Sequence, residues 1–220
     1  MKLALVPAPR ITLDAATHLY EVDGRPVEGW SEKVRKAPPE FGLVPDYSRV
    51  PEHVLANAAG RGAQIDDACA KLMAGTWTFT DWLKLYSDAQ PYVKAYAALW
   101  KRLKPGITGL RVQTPLYCRE LDFCTTPDWH DHVSVNDLKA TATHSRTWGL
   151  QIAAQQHAHG HTLDARIYHL RPHLKTRQID VYARSVGDRR VFSKWDHDVV
   201  EAVCREEWDA EAIDRWRKGE

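Results

Sequence analysis

No run of this chain approaches the roughly 18 consecutive apolar residues that a helix needs to cross a bilayer, so a membrane span is not expected. A leader is not expected either. The opening MKLALVPAPR carries one lysine and a few apolar residues before Pro7, too little for a signal peptide, and the expectation is a cytoplasmic protein. Cysteine is scarce: Cys69, Cys118, Cys124 and Cys204 contain no CxxC pair. That excludes a clustered iron–sulfur centre and, in a reducing compartment, points to packing thiols rather than disulfides. Charge of one sign is missing as well, for the net charge is +1 and announces no global basic field. Positive charge gathers locally in KRLK (101–104), RPHLKTR (171–177) and DRR (188–190), which read equally as solvated faces or as a nucleic-acid surface. Internal repeats and low-complexity tracts are absent. What remains is ordinary globular composition, 44% hydrophobic and 27% charged, in 220 residues that suit one well-packed domain.

The apolar spacing then divides the chain. Residues 10–30 alternate around Asp23-Gly24 and predict a β-hairpin, followed by a proline- and charge-rich connector over about 32–50. Val54, Ala58, Ile65, Cys69, Leu72 and Met73 predict a helix from Pro51 to Gly75, and Val93, Tyr96, Trp100 and Leu103 a second over 88–104. The period changes to two in 109–118, 121–129 and 133–141, three predicted strands. A helix over 145–160, strands at 164–172 and 178–186, and a final helix over 196–217 complete the order. The fold class is therefore α/β or α+β, a central mixed sheet flanked by helices with an N-terminal β-hairpin. Within a single domain, 1–50 form the hairpin and connector, 51–186 the core and 187–220 a C-terminal helix.

One stretch carries chemistry: TTPDWHDHVSVNDLKATAT, residues 125–143. If 121–129 and 133–141 are neighbouring antiparallel strands, Asp128 faces Asp137, and two opposed carboxylates are destabilising in a sheet without compensation. Period two puts Asp137 and Lys139 on one face and Leu138 on the other, toward the core. Two hard carboxylates beside an ammonium suit Mg²⁺ or Mn²⁺, which keep water and accept phosphate oxygens. A surface hairpin with an exposed ion pair is the alternative.

The order Pro127-Asp128, eight residues, Asp137-Leu138-Lys139 resembles the motif of the PD-(D/E)XK nuclease superfamily. ANAAGRGAQIDDAC (56–69) resembles the metal-binding helix of its RecB-like and phage exonuclease branch, and TWGLQIAAQQHA (147–158) the helix that carries a Gln-xxx-Tyr motif. The likeness covers about residues 10–185 and implies a restriction-endonuclease-like core. It implies that Asp128, Asp137 and Asp66 bind Mg²⁺ or Mn²⁺, that Lys139 orients or deprotonates the attacking water, and that Gln151 positions the catalytic groups. The implied activity is a metal-dependent deoxyribonuclease leaving 5′-phosphates, an exonuclease in preference to an endonuclease, from a phage or prophage recombination module. Its implied location is the cytoplasm of a bacterial or phage-infected host cell. Implied partners are double-stranded DNA ends and a single-strand annealing protein, with a homo-oligomer in view because related phage exonucleases include ring-shaped trimers.

The chain also departs from the pattern. Asp66, with Asp67 beside it, stands where the branch has histidine; Gln113 stands where many relatives have glutamate; Gln155 replaces the tyrosine. A nuclease-fold protein that binds DNA or a protein partner without cleaving it is the alternative these changes support. Arg61, His130 and His132 are candidate phosphate contacts, and each reads as readily as an ordinary surface or turn residue. HAHGH (157–161) invites a soft-metal reading, against which Gly160 is expected to end the helix between His157 and His161. Trp100, Trp148, Trp208 and Trp216 lie on helical stripes, Trp129 points away from Asp128, and Trp77 or Trp82 could stack on an unpaired base.

Overall fold

A computed structural model of the chain describes residues 8–14, 17–141, 143–160, 164–173, 178–185 and 192–219. The basic DRR segment, Leu174 to Arg177 of the preceding cluster and His161 lie outside these residues.

The N-terminal segment is a three-stranded antiparallel meander, β1 (Ile11–Asp14), β2 (Leu19–Val22) and β3 (Arg25–Val27). Asp23 and Gly24 join β2 to β3 with φ of 52° and 81°, the two left-handed positions of a type I′ turn, which is why Asp-Gly stands there. One strand more than the expected hairpin is present. The connector is also partly helical: α1 spans Trp30–Arg35, with Glu32 reaching back to the Gly29 amide in a capping box.

Helix α2 (Glu52–Ala74) ends on Gly75 in the left-handed conformation (φ 75°), and α4 (Gln90–Leu103) matches the second predicted helix. Between them lies the short α3 (Phe79–Lys84), capped by Thr78 and Asp81, in the stretch between the two predicted helices.

A five-stranded mixed sheet has the order β10-β9-β8-β7-β4, from β4 (Arg111–Val112), β7 (Trp129–His130), β8 (Ser134–Lys139), β9 (Asp164–Pro172) and β10 (Ile179–Ser185). Only β8 and β9 run parallel, joined over the sheet by α5 (Thr147–His159), the crossover that a parallel pair requires. The expected strands 109–118 and 121–129 are each broken in two. Their outer halves leave the sheet as the separate hairpin of β5 (Leu116–Cys118) and β6 (Phe123–Thr125). The breaks fall at Gln113, with φ 43°, and at Pro127, which has no amide to give a ladder.

The C-terminal helix is likewise two, α6 (Asp196–Arg205) and α7 (Ala210–Lys218), parted at Glu206 with φ 57°. One face of the sheet packs α2 and α4 through Ile65, Tyr96, Trp100, Trp129, Leu138 and Tyr168. The other packs α5, with α6, α7 and α1 beyond it through Leu150, Val200, Ile213 and Trp30. Helix α5 is buried on every side, which explains its small residues Gly149, Ala153 and Ala154. All four cysteines are buried free thiols, and no described helix is long and apolar enough to cross a membrane.

Candidate active site

The register of β7 on β8 pairs Trp129 with Asn136 and His130 with Val135, and one further step sets Asp128 opposite Asp137. Alternation does the rest. Leu138 is buried against α2 and α4, while Asp137 and Lys139 face α5. Trp129 enters the core between Trp100 and Tyr168, at centroid distances of 5.7 and 6.2 Å, so Asp128 beside it turns outward.

A buried polar network fixes these groups. Lys139 Nζ lies 2.5 Å from Asp137 Oδ2 and donates to Gln151 Oε1 at 2.7 Å. Gln151 Nε2 donates to Asp137 Oδ1 at 3.1 Å, and Gln155 Nε2 donates to the same oxygen at 3.3 Å. Two amides one helical turn apart thus hold one carboxylate oxygen and leave the other to the lysine. Asp128 Oδ2 accepts the Leu138 amide at 2.5 Å, and its backbone carbonyl accepts the Gln113 amide at 3.0 Å.

Asp66 joins this group electrostatically from α2. Its residue surface is exposed on α2, yet desolvation by the neighbouring protein, with Lys139 opposing and Asp137 adding, pushes its carboxyl up to about 6. Asp128 is pushed well above the usual carboxylate range by burial first, then by Asp137 and Asp66. Burial acts to lower Lys139, yet Asp137 and Asp128 outweigh it and the ammonium is held more firmly than usual. Asp67 turns away to Lys71, 2.8 Å distant. Three carboxylates against one ammonium leave this group short of positive charge, and a divalent cation is the chemistry such a donor set fits. As placed, no three His, Cys, Asp or Glu side chains among the described residues close tightly enough to enclose an ion.

Asp128, Gln113 and Gln151 open onto a cleft of about 650 Å³. Its other wall comes from the meander and α1: Tyr20, Trp30, Ser31 and Arg35. A smaller recess of about 190 Å³ adjoins it, sharing Trp30, Ser31, Arg35 and Gln151. The sequence reading missed this wall, because α1 is only six residues long and hides among prolines and charges. It also treated Gln155 only as a lost tyrosine, although its i,i+4 spacing from Gln151 signals a shared helix face.

The remaining candidates lie elsewhere. Arg61 pairs with Asp88 at 3.2 Å and does not line the cleft. His130 is buried; burial and then the neighbouring His159 and Arg111 hold it down at about 4. His132 is exposed, its ring against Gly109. Gly160 does end α5, with the ring of His157 4.9 Å from that of His197. Trp77 and Trp82 pack partly buried against the α2–α4 core, with Lys94 over the Trp82 ring at 5.2 Å. Trp100, Trp148 and Trp216 are core, whereas Trp208 lies between α6 and α7, against Phe41.

No protein-family model matches this chain, and no curated protein matches it. Six chains of solved structures do. One is the crystal structure of a "putative exonuclease" from Eubacterium rectale, with a TM-score of 0.47 and 14% identity over 72% of this chain and 68% of that one. A superposition this loose bears no weight on activity.

Proposed function

We propose that the chain is a metal-dependent nuclease of the PD-(D/E)XK kind, an exonuclease acting on ends of double-stranded DNA in a phage or prophage recombination module, with a single-strand annealing protein as its natural partner. The observation that carries this reading is the pairing of Asp128 with Asp137 across β7 and β8, with Lys139 bonded to Asp137 on its own face and Asp128 open to the cleft.

Asp128 and Asp137 would hold a Mg²⁺ or Mn²⁺ ion, with Asp66 as the third carboxylate. Bound there, such an ion polarises phosphoryl oxygen and lowers the pKa of water. The chain's own residues supply the rest. Lys139, kept protonated by its acidic neighbours, orients the attacking water and stabilises charge on the phosphoryl oxygens. Gln151 and Gln155 keep Asp137 in one orientation, and Gln151 also aims the Lys139 ammonium. Water adds to phosphorus, the bond to the 3′ oxygen breaks, and a 5′-phosphate and a 3′-hydroxyl remain.

Gln113 favours a second reading. It places a neutral amide at the cleft where a third strand-borne acid would strengthen metal binding, as in a nuclease-fold protein that binds DNA or a protein partner without turnover. Digestion of end-labelled linear and circular duplex DNA, with Mg²⁺ or Mn²⁺, separates the two. Loss of linear DNA alone, abolished in Lys139→Ala, is the expected result. Cleavage of circles would make the enzyme an endonuclease, and failure of the wild type with every divalent ion would favour the binding protein.

A further inference from the structure

Two histidine-rich stretches far apart in sequence, HDH (130–132) at the end of β7 and HAHG (157–160) at the end of α5, meet in space. His130 Nδ1 and His159 Nε2 face each other at 3.1 Å, their ring centroids 4.8 Å apart and inclined at 75°. From the juxtaposition of these two imidazole nitrogens we infer a binding site for a divalent d-block cation of the zinc or copper class, separate from the carboxylate cleft.

The separation of the nitrogens fits one shared ion. With metal–nitrogen bonds of about 2.0–2.1 Å, two nitrogens stand about 2.9 Å apart at a right angle and about 3.3 Å apart at the tetrahedral angle. The observed 3.1 Å lies between, so both rings can serve one ion with shifts of a few tenths of an ångström. Imidazole also selects against Mg²⁺ and for zinc and copper, the reverse of the carboxylate set. The rings come from rigid supports: His130 is 7% exposed on β7, and His159 closes the last turn of a helix buried on all sides. Among the described residues no third histidine, cysteine or carboxylate closes on the pair, so water or an exogenous donor completes the coordination. His132 is near enough for its charge to be felt at His159, and it brings a third imidazole to the rim.

An ion here would tie the β7–β8 turn to α5. That turn separates Asp128 from Asp137, and α5 carries Gln151, so the tie braces the frame of the cleft. The site does not depend on the nuclease reading.

The test is zinc and copper binding by the full chain, stripped with chelator and kept in excess Mg²⁺ to occupy the carboxylates. The expected result is one equivalent of Zn²⁺ bound by wild type and by Asp128→Asn, lost in His159→Gln, with Zn²⁺ raising the melting temperature only where it binds. Cu²⁺ bound to the wild type should give nitrogen hyperfine couplings in electron paramagnetic resonance. Circular dichroism of metal-free His159→Gln checks its fold. Should that variant not fold, the copper spectrum of the wild type decides, nitrogen couplings supporting the site and oxygen-only coordination overturning it. Zinc binding lost in Asp128→Asn and kept in His159→Gln would assign the ion to the carboxylates. No binding at micromolar zinc would reduce the pair to a shared proton. Either result overturns the inference.

Discussion

Gln113 is the residue on which the two readings of the cleft part. It is exposed at the cleft, its amide bonded to the Asp128 carbonyl, and its φ of 43° is one that glutamate adopts no worse than glutamine. Gln113→Glu should therefore leave the backbone alone and add one negative charge to a site already short of positive charge. We expect tighter Mg²⁺ binding and several-fold higher cleavage at limiting Mg²⁺, with a lower melting temperature without metal; a metal titration of activity beside a melting curve checks both. Lys139→Ala should reduce cleavage by roughly 10²–10⁴-fold, the usual contribution of a positioned proton-transfer or charge-stabilising group. Asp66 adds a pH dependence. Its folded value of about 6 lies above the ordinary 3.8, so the folded chain binds more protons between them. The metal-free protein is thus stabilised by Asp66 below about pH 4 and loses that contribution as pH rises through about 6. Asp66→Asn should flatten the melting temperature over that window, and saturating Mg²⁺ should flatten it in the wild type.

Among the elements, the C-terminal helices show best what spacing alone conceals. Val200, Val203, Cys204, Ile213 and Trp216 recur at helical spacing over 196–217 and are all buried, yet they belong to two helices. The break at Glu206 has neither glycine nor proline to mark it; a glutamate takes the left-handed position that ends α6. Glu206→Gly should accordingly raise stability, by about 0.5–1 kcal/mol in denaturant unfolding, since glycine is the residue suited to that position. Asp196, at the start of α6, is 3% exposed and accepts from Trp216 Nε1 at 2.8 Å. Burial pushes its carboxyl up to about 6, so its protonated form is the one the fold favours, and stability falls as pH rises from 4 to 6. Asp196→Asn should remove that slope, at most about 1.4 kcal/mol per pH unit for one proton. The strands tell the same story about legibility. Asp128 and Asp137 could be set opposite each other from the sequence because a short turn between two alternating runs leaves one natural register. The splitting of 109–118 and 121–129 could not, because it depends on where β5 and β6 find a better partner in α5 and the meander than in the sheet.

At the scale of the whole molecule, the cleft is a joint product of the sheet and of the N-terminal meander laid across β6. Tyr20 bonds Thr126 across the gap at 3.0 Å, the Cys124 amide donates to the Glu28 carbonyl at 2.9 Å, and Arg25 grips Asp122 with both guanidinium nitrogens. The Arg25 pair is exposed and contributes little to global stability. Its effect is local: Arg25→Ala should quicken amide exchange over residues 11–27 and weaken substrate binding more than turnover, read as a rise in KM with kcat nearly kept. No spacing rule joins residue 20 to residue 126, which is why this wall was invisible in the sequence while its opposite side was not.

Strand β8 carries one further consequence, for how the protein can fail. Its core residue Leu138 lies between the two residues it gives the polar network under α5, Asp137 and Lys139. A one-residue slip would bury both charges among α2 and α4 and turn Leu138 toward the amides of α5. Misthreaded molecules would therefore lose their solubility and their chemistry together, and a preparation should divide into competent and aggregated material with little folded but impaired protein between. Specific activity per soluble milligram would then stay constant as expression temperature rises, while yield falls.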